Sequence, residues 1–245
     1  MPNAFDVLLV LSFAVMLPLW SHFVVWPKHE RAVDSGDLRA RSRVYVRTLL
    51  EEWAFVIAAL VLMFVNRRSL SGLWLAPPVG WRALGFALPV VYVALVLIQG
   101  RVIAAKPGVL TKLRAKWQPL RALIPHTPGE YRLFALLSLT AGICEEFLFR
   151  GYMVWVLQAV MGLYPAAVVS MVAFGLAHGY QGGKFGFRAA MAGVAMGVLA
   201  LVTRSLLPSM LLHFVMDLGG GWVTYMAMSR GDAPAPVKVP NGVAA

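Results

Sequence analysis

The chain has one cysteine in 245 residues, Cys144, so no intrachain disulfide framework can hold it together. Charge is also scarce. Only 13% of the residues are charged, against roughly a quarter in an ordinary soluble domain. Acids are the rarest of these, 11 Asp and Glu against 22 Lys and Arg. No internal repeat is visible, and an inverted-repeat transporter fold therefore gains no support. The N-terminus lacks the early Lys or Arg of a secretory signal, carries Asp6 instead, and runs apolar over 5–26, longer than a signal h-region.

What is present in abundance is apolar surface: 60% of the residues are hydrophobic. Several continuous apolar runs approach or exceed the ~18 residues that cross a hydrocarbon core of about 30 Å. Backbone polar groups in lipid can be satisfied only in helices or closed barrels, and continuous rather than alternating runs select helices. The expected fold is all-α, a polytopic transmembrane bundle. About seven spans are drawn at 5–26, 49–65, 83–99, 131–160, 165–178, 187–202 and 206–228. The segment 70–81, with Trp74, Pro77, Pro78 and Trp81, is expected to lie at the interface, or to form part of an eighth span. Three regions follow: N-terminal spans with basic loops over 1–130, a helix bundle over 131–228, and a Pro-, Gly- and Ala-rich flexible tail over 229–245.

The net charge of +11 does not point to nucleic acid, because the basic residues flank apolar spans, where they meet membrane lipid headgroups. Seventeen of the 22 Lys and Arg fall on one side of the drawn topology, which puts the 27–48 and 100–132 loops in the cytoplasm. The expected location is a multi-pass position in a membrane, taken as a bacterial cytoplasmic one.

Against this background the acids inside apolar runs stand out: Glu145, Glu146 and Asp217, joined by His178, His213 and Arg150. An ionisable side chain at mid-bilayer costs at least ~2.5 kcal/mol on insertion scales, so each needs a partner or a function. Glu146 and Arg150 are four apart, as are Phe174 and His178, and His213 and Asp217, so each pair shares one helix face. Three helices can thus each aim one such pair at a common interior. A Glu with two His and an Asp can activate water, directly as a general base or through a bound metal. The fifth run is short and ends at His178 before Gly179, Gly182 and Gly183, which predicts a helix stopping beside a water-accessible cavity. Cys144 adjoins Glu145 but points about 100° away on a helix, so it is assigned to packing.

The three ordered motifs resemble those of a known family. Glu145-Glu146-Phe147-Leu148-Phe149-Arg150 is similar to EExxxR, Phe174 to His178 is similar to FxxxH, and His213 to Asp217 is similar to HxxxN in its HxxxD form. Together they resemble the CPBP (Abi) family of intramembrane proteases, which includes CAAX prenyl endopeptidases and bacteriocin-processing or immunity proteins. The resemblance covers about residues 131–228. It implies a hydrolase acting on membrane-anchored proteins or peptides, with Glu145 as general base, His178 holding the water, and His213 with residue 217 at the oxyanion. Glu146 and Arg150 would form a supporting ion pair. A CPBP metalloprotease, with Zn2+ or another divalent ion on Glu145, His178, His213 and Asp217, is the alternative chemistry; metal-free water activation is the reading adopted. Asp217 departs from the family's Asn, because an ionised carboxylate cannot donate to an oxyanion. Two other classes remain open at this point. One is a proton- or ion-coupled transporter using the same buried set, and the other a non-catalytic immunity or scaffold protein.

Overall fold

A computed structural model describes residues 1–229, and the tail expected beyond Ser229 lies outside the described residues. Among the described residues there are helices, turns and connections and no strand, as continuous apolar runs require. The helices are α1 (Ala4–Asp34), α2 (Ala40–Val65), α3 (Ala87–Ala105), α4 (Pro107–Trp117), α5 (Pro128–Glu145), α6 (Val154–Met161), α7 (Leu163–Ala177), α8 (Gly183–Thr203) and α9 (Leu207–Ser229). A π-type stretch, Glu146–Met153, joins α5 to α6 without a break. Such wide turns concentrate at functional sites.

Among the described residues, five helices are long and apolar enough to cross a membrane: α1, α2, the 3₁₀–α3 unit Gly80–Ile103, α7 with its cap, and α8. The two other expected spans, 131–160 and 206–228, are helical, but they carry the site. Glu145, Glu146 and Arg150 lie in the first, and His213, Asp217 and Gly219 to Gly221 make the second less apolar. Polarity, not length, separates them, since α9 alone has 23 residues and about 20 suffice. The segment 70–81 is not an eighth span. It holds a short 3₁₀ turn, Leu70–Leu73, and an irregular stretch through Pro77 and Pro78, before a second 3₁₀ turn, Gly80–Phe86, leads into α3. Proline without an N–H and Trp74 at φ +54° both oppose a continuous helix there.

Two capping boxes fix where helices begin. Asn3 and Asp6 cap α1, and Thr127 and Glu130 cap α5; each such cap contributes about 1 kcal/mol. Glu130 also takes the Arg41 guanidinium at 3.2 Å, tying the start of α5 to α2. At the opposite end of α2, Arg68 reaches the fully buried Asp6 at 2.6 Å, and the Tyr152 hydroxyl donates to the same carboxylate at 2.6 Å. The N-terminal helix is thereby locked onto the π stretch that follows Glu145.

The core gathers Phe13, Val56, Met63, Phe147, Tyr152, Phe174, Met196 and Leu212 from α1, α2, the π stretch, α7, α8 and α9. Leu88, Val90, Val91 and Leu95 of α3 face outward, an apolar exterior suited to lipid chains. Close approach of α5 and α9 is set by glycine. A Cβ on Gly142 would lie 2.9 Å from the Met210 carbonyl oxygen and 3.0 Å from the Phe214 amide nitrogen. Small residues let backbones meet in this way in membranes. That seam places Glu145 and Glu146 opposite His213.

Candidate active site

Glu146 sits at the base of the site with no exposed surface. The Arg150 guanidinium lies 3.1 Å from its Oε1, and His213 Nδ1 lies 3.0 Å from the same oxygen. A carboxylate held by Arg can only accept, so His213 donates from Nδ1 and keeps Nε2 for other atoms. Arg150 also donates from Nη2 to the Gly193 carbonyl at 2.8 Å and stacks over the Phe174 ring at 4.0 Å. Gly193 has to be small here, because a Cβ would meet the Phe174 ring at 2.4 Å.

Glu145, the neighbouring residue, points elsewhere, as helix geometry demands. Its side chain keeps 19% of its surface and lines a cavity of about 180 Å³ together with Glu52, His178 and Tyr180. Its Oε2 is buried, has no hydrogen-bond partner among the described residues, and lies 3.8 Å from His213 Nε2. His178 ends α7 beside this cavity, followed by a 3₁₀ turn and Gly182 at φ +81°. Its Nδ1 lies 2.9 Å from the Phe174 carbonyl oxygen, and its ring packs 4.5 Å from the Phe174 ring. A carbonyl accepts only, so Nδ1 carries the proton and a neutral His178 presents Nε2 as an acceptor. Asp217, one turn beyond His213, lies 3.6 Å from His213 Nε2 with 43% of its side chain exposed.

The structure therefore brings together all the residues singled out from the sequence, but in two layers. Glu146, Arg150 and Phe174 form a closed support, while Glu145 and His178 line the cavity and His213 stands between Glu145 and Asp217. Among the described residues no three His, Cys, Asp or Glu side chains are arranged to hold a metal ion. No step is routed through a metal.

The sequence reading missed Glu52. Its carboxyl is buried in α2 and faces Glu145 in the same cavity, and its Oε2 has no partner among the described residues. A signal for it existed. Tyr45, Glu52, Val56, Ala59 and Met63 recur on one helical face, all buried, so an acid sits in register with a core stripe. Tyr180, which shares the cavity wall, carried no pattern of its own.

Comparison with known proteins agrees with this part of the chain. Neither the curated proteins nor the solved structures give a match. Residues 127–219 match the family model described as type II CAAX prenyl endopeptidase Rce1-like. The match holds all three motifs and both layers of the site, from the Thr127 cap to just past Asp217. The chain has several helices apolar enough to make it an integral, multi-pass membrane protein, and its residues 127–219 are similar to the Rce1-like type II CAAX prenyl endopeptidases.

Proposed function

We propose that the protein hydrolyses peptide bonds of membrane-anchored proteins or peptides, using Glu145 to activate water. One observation supports this above the rest. Of two adjacent glutamates, one is fully buried with its Oε1 held by Arg150 and His213, and the other lines a cavity with His178 and lies 3.8 Å from His213 Nε2. A general base must reach its water and must not be neutralised by a fixed cation, and of the two motif glutamates Glu145 meets both conditions.

Water in the cavity gives one hydrogen bond to the Glu145 carboxylate and one to His178 Nε2, so its oxygen lone pairs face the scissile carbonyl. Glu145 takes a proton as the water oxygen bonds to the carbonyl carbon, and the C=O π pair moves onto oxygen. His213 Nε2, held in place through Nδ1 and Glu146, faces the same centre. The proton on Glu145 passes to the departing amide nitrogen as the C–N bond breaks. Substrate reaches this centre along a crevice between α1 and α2, where a second cavity of about 260 Å³ shares Val25, Val44 and Arg47 with the first. Its apolar wall and basic rim suit a lipid-bearing chain that enters from the membrane surface.

The test compares cells that accumulate equal amounts of wild-type protein and Glu145→Gln, with new protein termini mapped by mass spectrometry in membrane and secreted fractions. Termini seen only with wild type are expected. Identical termini in cells that express CAAX-ending and leader-bearing proteins would favour a transport relay over hydrolysis.

A further inference from the structure

Hydrolysis leaves a negative oxygen that needs hydrogen-bond donors, and the motif residues offer few. Asp217 is a carboxylate and, when ionised, only accepts. His213 and His178 have each committed Nδ1–H, to Glu146 and to the Phe174 carbonyl. The Arg150 guanidinium is turned to Glu146 and Gly193.

Tyr180 is differently placed. Its ring is held from two sides, 4.9 Å from Trp26 and 6.3 Å from His178, the latter nearly parallel at 28°. Its side chain lines the cavity of Glu52, Glu145 and His178, and its carboxyl neighbours are Glu145, Asp217 and Glu52. Its hydroxyl oxygen accepts from Gln181 Nε2 at 3.4 Å, and its proton goes to no acceptor among the described residues. Tyr45, the other phenol in the cavity wall, has already given its proton to the Leu123 carbonyl at 2.5 Å.

We propose that Tyr180 is a catalytic residue whose phenol O–H hydrogen-bonds the oxyanion formed when Glu145-activated water attacks the peptide carbonyl. This rests on the hydrolytic reading above. The phenol keeps its proton throughout: it donates a hydrogen bond while the electron pair resides on the carbonyl oxygen, and that pair returns as the C–N bond breaks. A neutral donor on the His178 loop offsets the loss of donor capacity that a carboxylate at 217 entails.

The experiment uses full-length protein in liposomes with a quenched fluorogenic farnesylated peptide ending in a CAAX sequence. It compares wild type, Glu145→Gln, Tyr180→Phe, Asp217→Asn and the Tyr180→Phe/Asp217→Asn double variant. Loss of one oxyanion donor lowers kcat by about 100-fold or more, so Tyr180→Phe should show that loss with KM little changed. The double variant should regain about tenfold or more of it, because an amide at 217 supplies an N–H to the same oxygen. Phe keeps the ring contacts with Trp26 and His178. Should it nonetheless lower thermal stability, recovery in the double variant supports the role and its absence overturns it. A Tyr180→Phe enzyme with wild-type kcat beside an inactive Glu145→Gln overturns the Tyr180 role and leaves the base intact. A KM effect alone also overturns it. Peptide left equally intact by wild type and Glu145→Gln overturns hydrolysis of this substrate and the Tyr180 role with it.

Discussion

Arg150→Met is the perturbation that most directly probes the support under the site. The guanidinium and the Glu146 carboxylate it faces are both almost wholly buried, 3% and 0% exposed. Removing one partner from such a pair costs about 3–5 kcal/mol, because the other charge remains buried without compensation. The same substitution removes the hydrogen bond to the Gly193 carbonyl and the stacking over Phe174. These losses share one side chain and do not add, so about 3 kcal/mol is the floor. At about 1.4 kcal/mol per factor of ten, that is roughly a 150-fold rise in the unfolded fraction. The protein contains its own reporter. Cys144 is the one cysteine, is fully buried, and precedes Glu145. Labelling by a thiol-reactive dye in mild detergent therefore follows opening of this region. Arg150→Met should label far faster than wild type at a temperature where the wild type resists. Glu146→Gln/Arg150→Met should recover most of that resistance, since neither charge is then left alone. Wild-type labelling by the single variant would refute the claim that this pair clamps the site.

Gly142→Ala places a Cβ against the backbone of Met210 and Phe214 and must widen the α5–α9 seam. Peptidase kcat should drop by about 100-fold, the scale of a 1 Å misplacement, while the protein still inserts; unchanged kcat would show that the seam does not position His213. Glu52→Leu should remove the second carboxyl from the cavity and shift the pH–rate profile of peptide cleavage, whereas a profile superimposable on wild type would assign Glu52 to packing alone. Asp6→Asn breaks the charge pairing with Arg68, and the resulting buried guanidinium should cost about 3 kcal/mol or more, measured by the same Cys144 labelling. Burial, aided by the Arg41 charge, holds His126 below its usual value. The unfolded chain then binds the extra proton first, so stability falls as pH drops through about 6.5; His126→Asn should flatten that part of the labelling-versus-pH curve.

The helical class and the site's support layer were legible in the sequence because both rest on short-range rules. Continuous apolar runs leave the backbone no choice but helices, and four-residue spacing puts Glu146 with Arg150 and His213 with Asp217 whatever the tertiary fold. Span boundaries were less legible. The second run was drawn from residue 49, but α2 begins at Ala40. Arg41, Arg43 and Arg47 continue a helix readily while their heads pair outside the core, so charge marked the membrane edge rather than the helix end. The 70–81 segment was ambiguous in hydropathy and was settled by prolines and a left-handed Trp74.

What the sequence could not order was depth. Four-residue spacing assigns Glu146 to Arg150 and leaves Glu145 over, but it does not say that one helix step opens Glu145 to a cavity. That division depends on Gly142 and Gly193, whose missing Cβ atoms let α9 and the Phe174 ring approach. Glu52 and Tyr180, from outside the motif helices' polar faces, complete the wall around Glu145. A motif names the residues that must do chemistry in any member of a family. The residues that compensate for a departure, such as an acid where an amide donor is expected, are free to come from any element the packing brings near. In this chain the departure is Asp217, and a phenol with an uncommitted proton stands two residues from the motif histidine. The division of labour between Asp217 and Tyr180 is therefore a property of this packing, which neither the motif spacing nor the apolar pattern encodes.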